Sequence, residues 1–194
     1  MKKIELIWRE ILEKSPAGNT FEQMKLAQKF HFSTSTVHAA IKPLRSIGAV
    51  RVTGRNFWVT DWEKILMFWA THRNLTKDIL FQTHVDLPVM EIEGLIDNNT
   101  IYGAYSAARH LLGSAPAEYE KIYVYAASPA VLIKRFPENK GEANFFILKA
   151  DRFLKDYGQT TPVSQTFVDL WNLPDWYAAD FSRALKEKFY AKIL

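Results

Sequence analysis

Side chains able to do chemistry are thinly spread along this chain, and most combinations fail on spacing. The five histidines, His31, His38, His72, His84 and His110, show no HxxxH or HExxH pattern, and there is no cysteine. Neither a structural nor a catalytic zinc site is therefore expected. No GxxxxGK(S/T), GxGxxG or GxSxG stretch occurs, which leaves no phosphate-cradling glycine loop and no nucleophile elbow. No cofactor is expected. Glu91 and Glu93 alternate in PVMEIEGLI; on a strand they would share a face and could hold a metal, although two solvated carboxylates are the commoner use. Glu138-Asn139-Lys140 has the E-x-K form of some metal-dependent nucleases, but it lies in a Pro/Gly-flanked stretch without an upstream Asp on a strand. Arg109 and His110 follow Tyr102 and Tyr105 on one helical segment, where Arg109 is either a solvated charge or a phosphate contact. Asp169, in TFVDLW, is an acid in apolar surroundings. A structural role is expected for it, because nothing nucleophilic accompanies it.

A different chemistry is concentrated in residues 33 to 60, STSTVHAAIKPLRSIGAVRVTGRNFWVT. Ser33 is a good N-cap for a helix whose apolar stripe is Val37, Ala40, Ile41, Leu44 and Ile47, with Gly48 placed to end it. The opposite face carries Thr34, Ser35, His38, Lys42 and Arg45. Two alternating strands follow around a Gly54-Arg55 turn of the type II′ kind. That register sets Thr53 against Asn56, Val52 against Phe57, Arg51 against Trp58 and Val50 against Val59, with the Arg51 guanidinium able to lie on the indole.

Short hydroxyls in a first helical turn can approach phosphates and base edges without a steric penalty, and the helix amino terminus offers free amides to phosphate. Ser33, Thr34, Ser35, His38, Lys42, Arg45, Arg51 and Arg55 are thus the predicted DNA-binding set. Thr34, Ser35, His38 and Lys42 would read the site, while Arg45, Arg51 and Arg55 would mainly contact phosphate. The plainer alternative is a helix start that only caps, beside a hairpin that only closes a small domain. Pro43 inside the helix removes an amide bond and clashes with the carbonyl of Ala39, which predicts a kink or an early end.

Charge supports the nucleic-acid reading. Residues 1 to 60 hold ten Lys/Arg against four Asp/Glu, a net of +6, while residues 61 to 194 hold fifteen against seventeen, a net of −2. The basicity belongs to the first third, which suits a polyanion partner. The 194 residues are 48% hydrophobic and 24% charged, an ordinary globular composition. In MKKIELIWREI, Glu5, Arg9 and Glu10 interrupt any run that could insert, so no export signal and no membrane partner are expected. The absence of cysteine fits a cytoplasmic protein.

The elements that position these residues read as follows. Ile4, Ile7, Trp8, Ile11 and Leu12 predict an amphipathic helix, broken by SPAGN at 15 to 19. Thr20-Phe21-Glu22-Gln23 has capping-box form for a second helix, followed by the turn HFS and the Ser33 helix. Asp61 caps a connector helix with Trp62, Ile65, Leu66, Phe68 and Trp69 on its apolar face. Beyond it, 79–85, 88–96, 120–128 and 143–150 read as strands, and 102–113 and 129–136 as helices. A helical tail starts at Thr161 with Pro162 at its first position and breaks at Asn172-Leu173-Pro174. The expected fold class is α+β: an amino-terminal winged helix-turn-helix domain over 1–60, a connector helix over 61–76, and a mixed α/β domain with a helical carboxy-terminal tail over 77–194.

In this order, the chain resembles the abortive-infection AbiEi-type antitoxin regulators of type IV toxin–antitoxin systems. The resemblance rests on the amino-terminal winged helix, the WEKILMFWATHRNL connector, YGAYSAARHL, the IYVYA strand and VSQTFVDL at Val163 to Leu170. It implies a transcriptional regulator that binds operator DNA and represses its own operon, with a second domain countering a nucleotidyltransferase-type toxin. The toxin is then a functional partner and not necessarily a physical one. A homodimer fits a module that buries only modest surface on double-stranded DNA. No catalytic residue is expected. The competing readings are a winged-helix-targeted nuclease and a protein-interaction module without specific DNA binding.

Overall fold

The computed structural model describes residues 1–15 and 20–191, and shows a mixed α+β chain with nine α-helices and two small sheets among those residues. It falls into two units, residues 1–73 and 74–190. The Pro16–Asn19 part of the expected helix break and the last three residues of the tail lie outside the described residues.

The first unit runs α1 (Lys3–Lys14), β1 (Phe21–Glu22), α2 (Gln23–Phe30), α3 (Thr34–Ser46), β2 (Val50–Thr53), β3 (Asn56–Val59) and α4 (Trp62–His72). Ile7, Trp8, Ile11 and Leu12 of α1 are buried as their spacing requires. The Trp8 indole donates to the Ala40 carbonyl of α3 at 2.8 Å. Asp61 caps α4 by accepting the Lys64 amide at 3.0 Å. Ile65, Leu66 and Trp69 then bury a face that packs on α1 and α3, so the expected connector is a fourth helix of this unit. Trp69 donates to Glu5 at 3.1 Å, and Arg73 sits 3.6 Å from the same carboxylate.

The expected capping box at Thr20 does not form. Phe21 and Glu22 instead make β1, which pairs antiparallel with β3 and gives the sheet the order β1-β3-β2. The Phe21 and Phe57 rings stack at 5.2 Å, and both side chains are buried. Burying two phenylalanines contributes roughly 1.5–3 kcal/mol each, more than the ~1 kcal/mol of a cap. Packing decides the local structure here.

The second unit holds β4 (Ile79–Thr83), α5 (Val89–Gly94), β5 (Ile101–Gly103), α6 (Ala104–Leu112), β6 (Ile122–Ala126), α7 (Ala130–Arg135), β7 (Phe145–Lys149), α8 (Val163–Trp171) and α9 (Ala178–Ala191). The sheet order is β4-β7-β6-β5, parallel between β6 and β7 and antiparallel elsewhere. On one face, Ile92 of α5 and Leu132 of α7 pack on Ile122, Val124, Phe145 and Ile147. On the other, α6 packs on β6 and α8, and the Tyr125 hydroxyl donates to Asp169 at 2.6 Å. Every residue of α8 from Val163 to Leu170 is buried.

Three expectations fail in this unit. Residues 88–96 are not a strand: Pro88 precedes α5, whose Val89 and Ile92 lie one helical turn apart and pack on the sheet. Residues 101–103 form β5 before α6 begins, and its Tyr102 makes a β-bridge with Thr160. Pro162 is the N-cap of α8, not its first helical residue. Gly103 is required where it stands, because a Cβ there would lie 2.9 Å from the Tyr125 ring and 3.4 Å from the Tyr123 carbonyl oxygen. Among the described residues no helix is long and apolar enough to cross a membrane.

Candidate nucleic-acid interface

α3 begins as its sequence requires. The Ser33 hydroxyl accepts the Thr36 amide at 3.3 Å and also bonds the hydroxyls of Ser35 at 2.8 Å and Thr36 at 2.9 Å. The turn before it is tight: α2 ends on His31, a non-glycine residue at φ +52°, while the Phe32 amide donates to Ala27 at 2.9 Å. Pro43 does not end α3, which continues to Ser46. Gly48, at φ +71°, then closes it, with its amide on Arg45 and that of Ala49 on Leu44.

Val37, Ala40, Ile41 and Leu44 turn into the core, and Ile47 is partly exposed as the helix ends. The other face leaves Ser33, Thr34, Ser35, His38, Lys42 and Arg45 exposed on one helix. The hairpin has the expected register: Val50 with Val59, Arg51 with Trp58, Val52 with Phe57, Thr53 with Asn56. Gly54 takes φ +58°, and the Arg51 guanidinium lies over the Trp58 ring at 5.6 Å. Arg51 and Arg55 are exposed, and the Arg55 carbonyl accepts the Gln23 amide at 3.1 Å.

Three acids of this unit have cation or indole partners of their own. Glu5 is tied to Trp69 and Arg73, Glu10 takes Lys29 at 2.6 Å, and Glu22 takes Lys25 at 3.2 Å. Among the described residues, Lys42, Arg45, Arg51 and Arg55 have no acidic partner. α3 thus exposes Lys42 and Arg45 beside the hydroxyls of Ser33, Thr34 and Ser35, and the hairpin exposes Arg51 and Arg55. Such exposed charge attracts phosphate.

The residues considered for catalysis do not assemble. Glu91 is exposed, while Glu93, two residues on along a helix, is buried, so they share no face. Glu138 lies in a loop, and no group of three His, Asp or Glu side chains among the described residues could hold a metal ion. Asp169 is wholly buried and accepts from Tyr125. His110 packs its ring 5.2 Å from that of Tyr102.

Arg109 has a partner that sequence reasoning missed. It pairs with Glu93 and donates from Nε to the Tyr119 hydroxyl at 3.2 Å, while Tyr119 donates to Glu93 at 2.8 Å. Burial disfavours the Arg109 charge, but Glu93 and Tyr119 outweigh it and hold the guanidinium above its ordinary pKa. Burial, then the hydrogen bond to Glu93, pushes the Tyr119 hydroxyl up to about 12. A second such hub is Asp175, which accepts from Tyr105 at 2.8 Å and Lys121 at 2.8 Å. Burial first, and then Asp175, holds the Tyr105 hydroxyl far above the tyrosine range. The i, i+16 and i, i+54 spacings of these pairs leave no local mark on the sequence.

Compared with protein-family models, curated proteins and solved structures, the chain matches none.

Proposed function

We propose that the protein is a DNA-binding transcriptional regulator whose first unit acts as a winged helix-turn-helix. On this reading α3 enters the major groove, and the β2–β3 hairpin is the wing that reaches the adjoining backbone. The observation that carries it is the segregation of charge. The four cations expected at DNA stand exposed without acidic partners, while Glu5, Glu10 and Glu22 are each engaged by other groups. The helix order with a three-stranded sheet, β1 completing the wing, supports the same conclusion.

The finer proposal is that the protein is antitoxin-like. It represses its own operon from an operator, and its second unit counters a nucleotidyltransferase-type toxin encoded nearby. This part rests on the resemblance in element order and short patterns. Co-expression with such a toxin tests it: restored growth supports it, and unchanged toxicity rejects it.

DNA binding is tested by fluorescence anisotropy on the duplex upstream of the protein's own gene against a scrambled duplex. A preference of about a thousandfold or more is expected at near-physiological salt. Weak and equal binding to both duplexes rejects a sequence-specific regulator.

A further inference from the structure

The second unit contains a cleft of about 640 Å³, within the range that takes small organic ligands. Trp176, Tyr177 and Tyr119 supply aromatic wall, with Glu118 and Glu120 beside them and Arg109 also lining it. Trp176 is 79% exposed, an expensive way to present an indole unless something covers it. Its position is fixed from below. The preceding residue, Asp175, is held by Tyr105 and Lys121, and the following ring, Tyr177, is buried 4.8 Å from that of Tyr105. Trp176 meets Tyr177 edge to face at 5.4 Å.

The sign of the cleft follows from which charges are already paired. Arg109 is bound to Glu93, and Lys121 behind Tyr177 is bound to Asp175 and Glu142. Glu118 and Glu120 are exposed and, among the described residues, make no ion pair. A closed Arg–Glu pair acts at a distance as a dipole, whereas two open carboxylates keep their full field. The balance favours a cation. Aromatic faces add to it, because a ring quadrupole attracts positive charge.

We propose that this cleft binds a small organic cation, an amine, amidine or guanidine on a flat apolar body. The apolar body lies against Trp176 and Tyr177, and the charge points to Glu118 and Glu120. The site lies wholly within the second unit and does not depend on DNA binding.

Three probes of one shape and different charge test it on the full-length protein: benzamidine, benzamide and benzoate, followed by calorimetry and tryptophan fluorescence. Benzamidine is expected to bind about tenfold or more tightly than the other two, and to weaken with added salt. Trp176→Ala, a change at an exposed side chain that leaves the thermal melt in place, lowers benzamidine affinity by about tenfold. The double variant Glu118→Gln/Glu120→Gln makes benzamidine and benzamide bind alike. Equal affinity for all three probes, or tighter binding of benzoate, overturns the proposal. So does an absence of benzamidine binding up to about 10 mM, or unchanged binding by Trp176→Ala.

Discussion

Exposed residues of α3 and the β2–β3 hairpin are expected to differ in what their removal costs. On the proposed DNA-binding reading, Arg55 offers a charge to a backbone that is the same in every sequence, so Arg55→Ala is expected to weaken binding to all duplexes alike and to lower the salt slope by about one. Ser35 carries no charge and sits in the first turn of α3. Ser35→Ala is therefore expected to change site preference and leave the salt slope alone. Anisotropy titrations on a panel of single-base operator variants separate the two, and an identical uniform loss in both variants would contradict the assignment. In the second unit the informative residues are neutral hydroxyls. Tyr105, Tyr119 and Tyr123 are all held above the usual 10.0, chiefly by burial. Above pH 10 the folded chain therefore keeps protons that the unfolded chain loses. The stability they supply is complete below about pH 10 and falls as pH rises through the folded values. For Tyr119 that value is about 12. Urea midpoints measured up to about pH 11.5 should decline above about pH 10, and less steeply in Tyr119→Phe. A midpoint flat across that range would count against burial as the cause.

At the scale of elements, the β2–β3 hairpin and its register were legible because they depend on period-two alternation and one glycine turn. Both are local properties of residues 50–59. Helix α3 was legible for the same reason, from the Ser33 cap to the Gly48 stop, although Pro43 does not break it. What was hidden depends on partners far away in sequence. β1 is only two residues long and exists because Phe21 finds Phe57. The acids of α5 alternated as they would on a strand, yet Glu93 is buried because Arg109 and Tyr119 receive it. β5 escaped notice because Gly103 reads as a helix neighbour, while its real constraint is the Tyr125 ring. Gly103→Ala should push that ring off and disturb the Tyr125–Asp169 bond, at a cost of roughly 1–3 kcal/mol in urea unfolding. A loss below about 0.5 kcal/mol would mean that the ring yields freely.

For the whole molecule, the proposed DNA binding would be governed by salt through the uneven charge. The three cations assigned to phosphate, Arg45, Arg51 and Arg55, each displacing about 0.9 of a counterion, predict a slope near −2.7 for log K against log salt when one chain occupies the site. A slope about twice as steep would mean two chains on one operator, and one near zero would exclude phosphate contact altogether. The exposure of the α3 residues was legible, because hydroxyls and cations segregate from an apolar stripe within one helix. Which cations stay free was not, since the partners of Glu5 and Glu10 lie on other helices.

The bond from the Gln23 amide to the Arg55 carbonyl, together with the pairing of β1 and β3, bolts the hairpin to the start of α2. Hairpin and helix pair are therefore tied together like the two jaws of a caliper. If the first unit binds DNA as proposed, a caliper held in this way leaves more of the adjustment to the DNA. Sequences that reach the required groove width at little bending cost would then be preferred, even at positions no side chain touches.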